Sequence, residues 1–193
     1  MSTIIQQPDS LSFSGNLKKF GITSISEVVF ELKQLTSSGQ KLIDFETAQG
    51  KRYSNCQVGL VCVENGVITN ELSILVQPSH NFHWDWFTDI HGITPKITRN
   101  APTFDKIWHL VEPYIKNQLV VAHNGMSFDF PVLAQTLAYY HMAVPEYEKH
   151  STYLLFGSNL ASLCVKYNIP LNHHEALSDA RAGAALLSKH LSK

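Results

Sequence analysis

After the apolar pair Leu42 and Ile43, polar and apolar residues alternate through Asp44, Phe45, Glu46 and Thr47, the pattern of a strand with one face in a core. Residues 57–63 and 67–76 read as two further apolar strands joined at Glu64-Asn65-Gly66, and Asn-Gly is a strong short hairpin signal. These three strands predict an antiparallel meander. Residues 50–55 form a polar loop carrying Lys51 and Arg52, and residues 78–100 are irregular and rich in aromatics: Phe82, Trp84, Trp86 and Phe87. Thr103 caps a helix to about Ile115, with Phe104, Ile107, Trp108 and Val111 on one side and Pro113 able to shorten it. Residues 118–122 are a short continuous apolar run, as in a strand buried on both faces, and feed a helix from near Ser127 to about Tyr140. A weaker strand over 147–151, a helix capped by Ser158 and ending near Tyr167, and a last helix over 176–191 complete an α/β pattern. The expected architecture is a mixed sheet flanked by helices.

Residues 1–39 differ from this domain of residues 40–193. Ile25, Val28, Val29, Leu32 and Leu35 recur at helical spacing behind Ser24 as N-cap and Glu27 at its third position, and Ser37-Ser38-Gly39 ends the helix. This N-terminal extension is expected to pack on the main domain, with docking of a partner or a second copy of the chain as the alternative.

With 193 residues, 44% of them apolar, and a formal net charge of −1, the chain fits one ordinary globular domain and carries no global basic signal for nucleic acid. Any strand-binding surface must be a local patch, for which Lys51, Arg52, Lys96 and Arg99 are candidates beside the plainer reading of solvated loop charges. No apolar run reaches the roughly 20 residues that span a bilayer, and the first residues lack a secretory pattern. Cys56, Cys62 and Cys164 form no CxxC pair and read as reduced thiols of a cytoplasmic protein. His80, His83 and His91 lack cysteine partners at structural-zinc spacing.

The chemistry begins at Asp44 and Glu46. Two residues apart on a strand, they share a face, and paired carboxylates resist burial unless something positive lies between them. A divalent cation supplies that charge; a solvated strand face is the plainer alternative. Asp129 alone would be a helix-start acid favourable to the macrodipole. Asp179 alone would be a solvated helix residue, and His173-His174 alone would be surface histidines. An acidic strand pair, an acid after a buried strand and a His/Asp pair on a last helix are together hard to reconcile with those separate readings.

Asp44-Phe-Glu-Thr, His123-Asn-Gly-Met-Ser-Phe-Asp129 and His174-Glu-Ala-Leu-Ser-Asp179 resemble, in order, the three motifs of the DEDDh (DnaQ-like) 3′→5′ exonucleases. The resemblance runs over about residues 41–191, includes Ile90-His-Gly-Ile-Thr94 and Ala101-Pro-Thr-Phe104, and is strongest to stand-alone proteins similar to the epsilon subunit of DNA polymerase III. It implies a ribonuclease H-like fold and two Mg²⁺ or Mn²⁺ ions, and all-oxygen carboxylate ligation suits those ions rather than zinc. It further implies that Asp44 bridges both ions, that Glu46 and Asp179 complete the first, and that Asp129 holds the second through water. His174 is implied as the general base, for which an ordinary pKa of about 6.5 is suited.

Carried over from relatives, Thr47, Ile90 and His91 clasp the terminal nucleotide, with Ile90 as a wedge, and Asn124 and Phe128 shape the same pocket. The expected partner is a single-stranded 3′ end, the product a nucleoside 5′-monophosphate. An exoribonuclease acting on RNA or short oligonucleotides is the nearest alternative, and a non-catalytic accessory module the more distant one. The stretch between Val144 and Gly157 lacks the Thr-x-x-Leu-Ala-Arg-like segment of close relatives, with Ser151-Thr152-Tyr153-Leu154-Leu155 its nearest equivalent. The chain ends just past the last helix, without the tail by which epsilon binds its polymerase, so a free-standing nuclease is expected over a replicative subunit.

Overall fold

Five strands form one sheet in the order β3-β2-β1-β4-β5, seen in a computed structural model that describes residues 39–191. The antiparallel meander is β1 (Gln40–Thr47), β2 (Asn55–Glu64) and β3 (Val67–Leu75). β4 (Leu119–Ala122) lies parallel to β1, and β5 (Glu148–Ser151) parallel to β4. The β2–β3 turn forms at Asn65 and Gly66, with φ of 52° and 77°, the left-handed pair that a two-residue hairpin needs. The weak fifth strand is present. The helix read at Ser24 to Leu35, and with it the extension, lies outside the described residues.

Both faces of the central strands are covered. Ile43, Phe45, Val58, Leu60, Val120 and Ala122 face one core, closed by α3 (Phe104–Val111) and α4 (Asp129–Tyr139). Leu42, Val61, Val63, Leu119 and Val121 face a second core, closed by α7 (Ala176–Leu191). The one-sided burial expected of β1 is therefore corrected: its polar alternation marks where the second core opens into a cleft.

Several local details differ from the sequence reading. The aromatic stretch is not irregular throughout, because it contains α1 (Asp85–His91) and α2 (Pro95–Thr98). Gly92, at φ 73°, ends α1 with its N–H on the Thr88 carbonyl, and Thr94 with Pro95 starts α2. α3 stops at Val111 because Pro113 diverts the chain into a 3₁₀ turn, Glu112–Tyr114. A short α5 (Thr152–Phe156) follows β5 directly. Asn159, not Ser158, caps α6 (Leu160–Tyr167), its Oδ1 accepting the Ser162 N–H at 2.8 Å. Among the described residues no helix is long and apolar enough to cross a membrane.

Candidate active site

Asp44 and Glu46 project from the end of β1 on the face that α7 covers. The first turn of α7 carries Asp179 over them, and carboxylate oxygens of Asp44, Glu46 and Asp179 all lie within 4.8 Å of one another. That approach depends on β2. A Cβ added to Gly59 would stand 2.2 Å from the Ala176 carbonyl carbon, so only glycine lets the helix start rest on the strand. The Gln57 amide ties the same turn, accepting the Ala176 N–H at 3.1 Å and donating to Glu175 Oε1 at 3.1 Å. Glu175 in turn caps the helix by accepting the Ser178 N–H at 2.8 Å.

Asp129 opens α4, immediately after the β4 turn, and is 2% exposed. Its Oδ1 accepts the backbone N–H of Phe45 at 3.1 Å, which fixes it beside the two strand acids although it stands outside the tight trio. Burial and mutual repulsion keep protons on this cluster. Burial, then Asp129, Glu46 and Asp179, holds Asp44 well above the usual carboxylate range. Burial, then Asp179 and Asp129, pushes Glu46 up to about 8. Burial pushes Asp129 up to about 7 against the lowering effect of the Phe45 N–H and of Arg52. Burial also raises Asp179, against the neighbouring His173.

One oxygen of Asp179, Oδ1, is buried without a hydrogen-bond partner, whereas Oδ2 accepts from His173 Nδ1 at 2.8 Å and from the His174 N–H at 3.3 Å. An orphaned carboxylate oxygen among acids that strain to shed charge is what a hard divalent cation would satisfy, and the donor set is all oxygen. The residues therefore fit such an ion. His174 sits at φ 66°, which turns its ring into the cleft with Nδ1 3.9 Å from Glu46 Oε1. Its ring stacks on that of His173 at 3.9 Å between centroids. Burial, then His173, lowers the His174 pKa below its ordinary value.

All ten residues singled out from the sequence line one open cleft of about 350 Å³: the four acids, His174, Thr47, Ile90, His91, Asn124 and Phe128. Ile90 is 42% exposed at its edge. His91 lines the cleft while its ring nitrogens serve the backbone. Its Nδ1 accepts the Ile93 N–H at 3.0 Å, so Nε2 carries the proton and donates to the Thr47 carbonyl at 3.1 Å. Both nitrogens are thus committed to backbone, and only the ring surface is left for a ligand. Of the four basic candidates, Arg52 reaches this cleft, lying over the Phe128 ring at 5.4 Å and donating to the Phe128 carbonyl at 3.4 Å. Lys96 and Arg99 are exposed on and after α2, away from the lining.

The cleft also uses residues to which no role was given. His123 Nδ1 pairs with Thr152 Oγ1 at 2.9 Å and its Nε2 with the Ser158 carbonyl at 3.0 Å. A carbonyl can only accept, so Nε2 donates and Nδ1 takes the Thr152 hydroxyl proton. Burial brings the His123 pKa down to about 4, which keeps the ring neutral. It therefore braces the wall formed by Tyr153, Asn159 and Leu160. Phe45, Phe87 and His173 complete the lining. Phe45 and His123 lie within the motifs, His173 beside one, and Phe87 and Tyr153 in segments already singled out, whereas Asn159 and Leu160 left no trace in the sequence.

A model of the RNase T-type exonuclease family matches residues 42–187. A Mycobacterium tuberculosis protein named for paired exonuclease and endonuclease activities is 27% identical over 165 residues, covering 76% of this chain and 25% of that protein. A PolC-type DNA polymerase III from Streptococcus sanguinis is 27% identical over 181 residues, covering 84% of this chain and 12% of the polymerase. The chain thus spans a quarter or less of these curated relatives. Among solved structures, Exonuclease X in complex with 5′ overhanging duplex DNA superposes with a TM-score of 0.63 at 25% identity, over 79% of this chain and 91% of that one. The mixed sheet and flanking helices match the ribonuclease H-like fold of these nucleases. The chain belongs to the RNase T-type, DnaQ-like 3′→5′ exonuclease family.

Proposed function

We propose that this chain is a divalent-cation-dependent 3′→5′ exonuclease that removes nucleoside 5′-monophosphates from single-stranded DNA ends. The observation that carries the reading is the meeting of Asp44, Glu46 and Asp179 within 4.8 Å, with Asp129 and His174 in the same cleft. Asp44, Glu46 and Asp179 would hold one Mg²⁺ or Mn²⁺ ion, and Asp44 with Asp129 a second. Such ions lower the pKa of water and neutralise charge at the phosphate and the departing oxygen.

The protein's own groups do the rest. His174 accepts a proton from the attacking water at Nε2, its Nδ1 being turned toward Glu46. Water oxygen bonds to phosphorus as the bond to the 3′-oxygen of the preceding nucleotide breaks. The products are a nucleoside 5′-monophosphate and a strand shortened by one residue with a free 3′-hydroxyl. Ile90 and Phe128 offer apolar surface to the terminal base, Asn124 and Thr47 offer polar contacts, and stacking of this kind accepts any base. Arg52 at the rim supplies positive charge for a backbone phosphate. The DNA in the Exonuclease X complex supports a DNA end as ligand, and the family supports the direction.

Mass spectrometry of the products from a single-stranded DNA and the matching RNA, each with Mg²⁺ or Mn²⁺, tests this reading. Nucleoside 5′-monophosphates from the DNA are expected. Nucleoside 3′-monophosphates, or products from RNA alone, would overturn it.

A further inference from the structure

We propose that a second cavity, beside the catalytic cleft, binds a nucleotide of the substrate strand upstream of the 3′ end; this rests on the nuclease reading above. The cavity measures about 440 Å³, and its lining includes Lys51, Tyr53, His80, Phe82 and Tyr139. Tyr53 and Tyr139 stack face to face, 4.5 Å between centroids and 5° from parallel. Tyr139 is held by a 2.6 Å hydrogen bond between its hydroxyl and that of Ser79, and Phe82 is 53% exposed. Ordered, partly exposed aromatic rings on a soluble surface are the platform on which nucleobases of any identity stack.

The charge of this cavity is opposite in character to that of the catalytic cleft. Its lining has a lysine and a histidine but no carboxylate, whereas the catalytic cleft has four. Lys51 Nζ lies 5.7 Å over the Tyr53 ring, and no carboxylate among the described residues pairs with it. An ammonium beside stacked rings suits a phosphate joined to a base. A purely apolar ligand would leave that charge unused.

Position connects the two cavities. Residues 49–54 separate them: Arg52 leans onto Phe128 of the catalytic cleft, while Lys51 and Tyr53 on either side of it line the second cavity. The loop is pinned from within, since Ser54 Oγ donates toward the Gln49 carbonyl at 3.0 Å and accepts the Gln49 N–H at 3.2 Å. Ala48 N–H also closes on the Ser54 carbonyl at 2.8 Å. A strand leaving the catalytic cleft past Arg52 therefore meets a preformed shelf of charge and aromatic surface.

Lys51→Ala and Tyr139→Ala test this, both at partly or fully exposed positions. The probes are single-stranded (dT)15 and the p-nitrophenyl ester of thymidine 5′-monophosphate, which fills the catalytic cleft alone. Loss of one base-stacking or phosphate contact is expected to raise KM for (dT)15 about tenfold, leaving kcat/KM for the ester unchanged. Lys51→Ala should also flatten the salt dependence of (dT)15 binding by about one phosphate's share. Wild-type handling of (dT)15 by both variants would overturn the proposal. So would equal losses on both substrates, which would place the defect in the catalytic cleft. Anisotropy of labelled (dT)15 in Ca²⁺ reads the subsite apart from chemistry. Weakened binding in both variants of a protein inactive on both probes would keep the subsite and remove the nuclease reading.

Discussion

The backbone N–H of Phe45 donates to Oδ1 of Asp129 at 3.1 Å, so the residue between the two strand acids also anchors the acid that opens α4. One strand thereby sets the spacing of three of the four carboxylates. Asp129→Asn retains an oxygen that can accept from Phe45 but loses the charge. It should fold with a melting temperature at or above wild type, because repulsion falls, and show background activity. An active Asp129→Asn protein would remove Asp129 from the catalytic machinery.

Replacing Asp44, which burial and its acidic neighbours hold well above the usual carboxylate range, should act likewise. Asp44→Ala is expected to abolish cleavage with the melting temperature unchanged or raised, as read by thermal denaturation without added metal. A marked drop in stability would mean that Asp44 holds the fold rather than the site.

His174 is best replaced by asparagine, which tolerates its φ of 66° better than alanine does. His174→Asn should lower kcat by about 10²–10⁴-fold, the usual contribution of a general base, while Mn²⁺ affinity by calorimetry stays close to wild type. Loss of Mn²⁺ binding together with activity would make His174 a ligand and not a base.

The Gly59 prediction concerns geometry alone. Gly59→Ala forces the first turn of α7 off β2, because the new methyl would overlap the Ala176 backbone. Overpacking of this kind costs about 1–3 kcal/mol, and here the displaced turn carries Asp179 and follows His174. Both a lower melting temperature and lost activity are expected; a normal enzyme would show that α7 can dock in another way.

These variants also show what the sequence could and could not convey. Asp44 and Glu46 were legible because strand alternation puts them on one face, and Asp129 because a buried strand leads directly to its helix. The β2–β3 turn was legible because Asn65-Gly66 specifies left-handed backbone locally. Gly59 and Gln57 gave no sign, since their importance exists only where a helix more than 100 residues later lands on β2. The commitment of both His91 nitrogens to backbone is likewise a product of tertiary packing. α1 and α2 escaped because each is at most seven residues long and is set by its caps, Gly92 and Thr94, more than by periodicity.

Proton linkage gives a test without substrate. Glu46 is raised to about 8 and Asp129 to about 7, so between the ordinary carboxylate range near 4 and those values the folded protein holds protons that the unfolded chain has released. Stability contributed by these groups therefore falls as pH rises through that window. His91, His123 and His174, all lowered by burial, act oppositely, but only below their ordinary value of about 6.5. Without metal, the melting temperature should fall from pH 6.5 to 8.5, and Mn²⁺ should reverse the fall. A flat profile unaffected by Mn²⁺ would contradict the cluster's role as a cation site.

The most direct measurement follows one oligonucleotide labelled at either end through a time course with Mg²⁺, Mn²⁺ or EDTA. The 5′-labelled strand should shorten stepwise, the 3′-labelled strand should release its label at once as a mononucleotide, and EDTA should stop both. Label released first from the 5′ end, cuts only in the interior, or cleavage that persists in EDTA would contradict a cation-dependent 3′→5′ exonuclease.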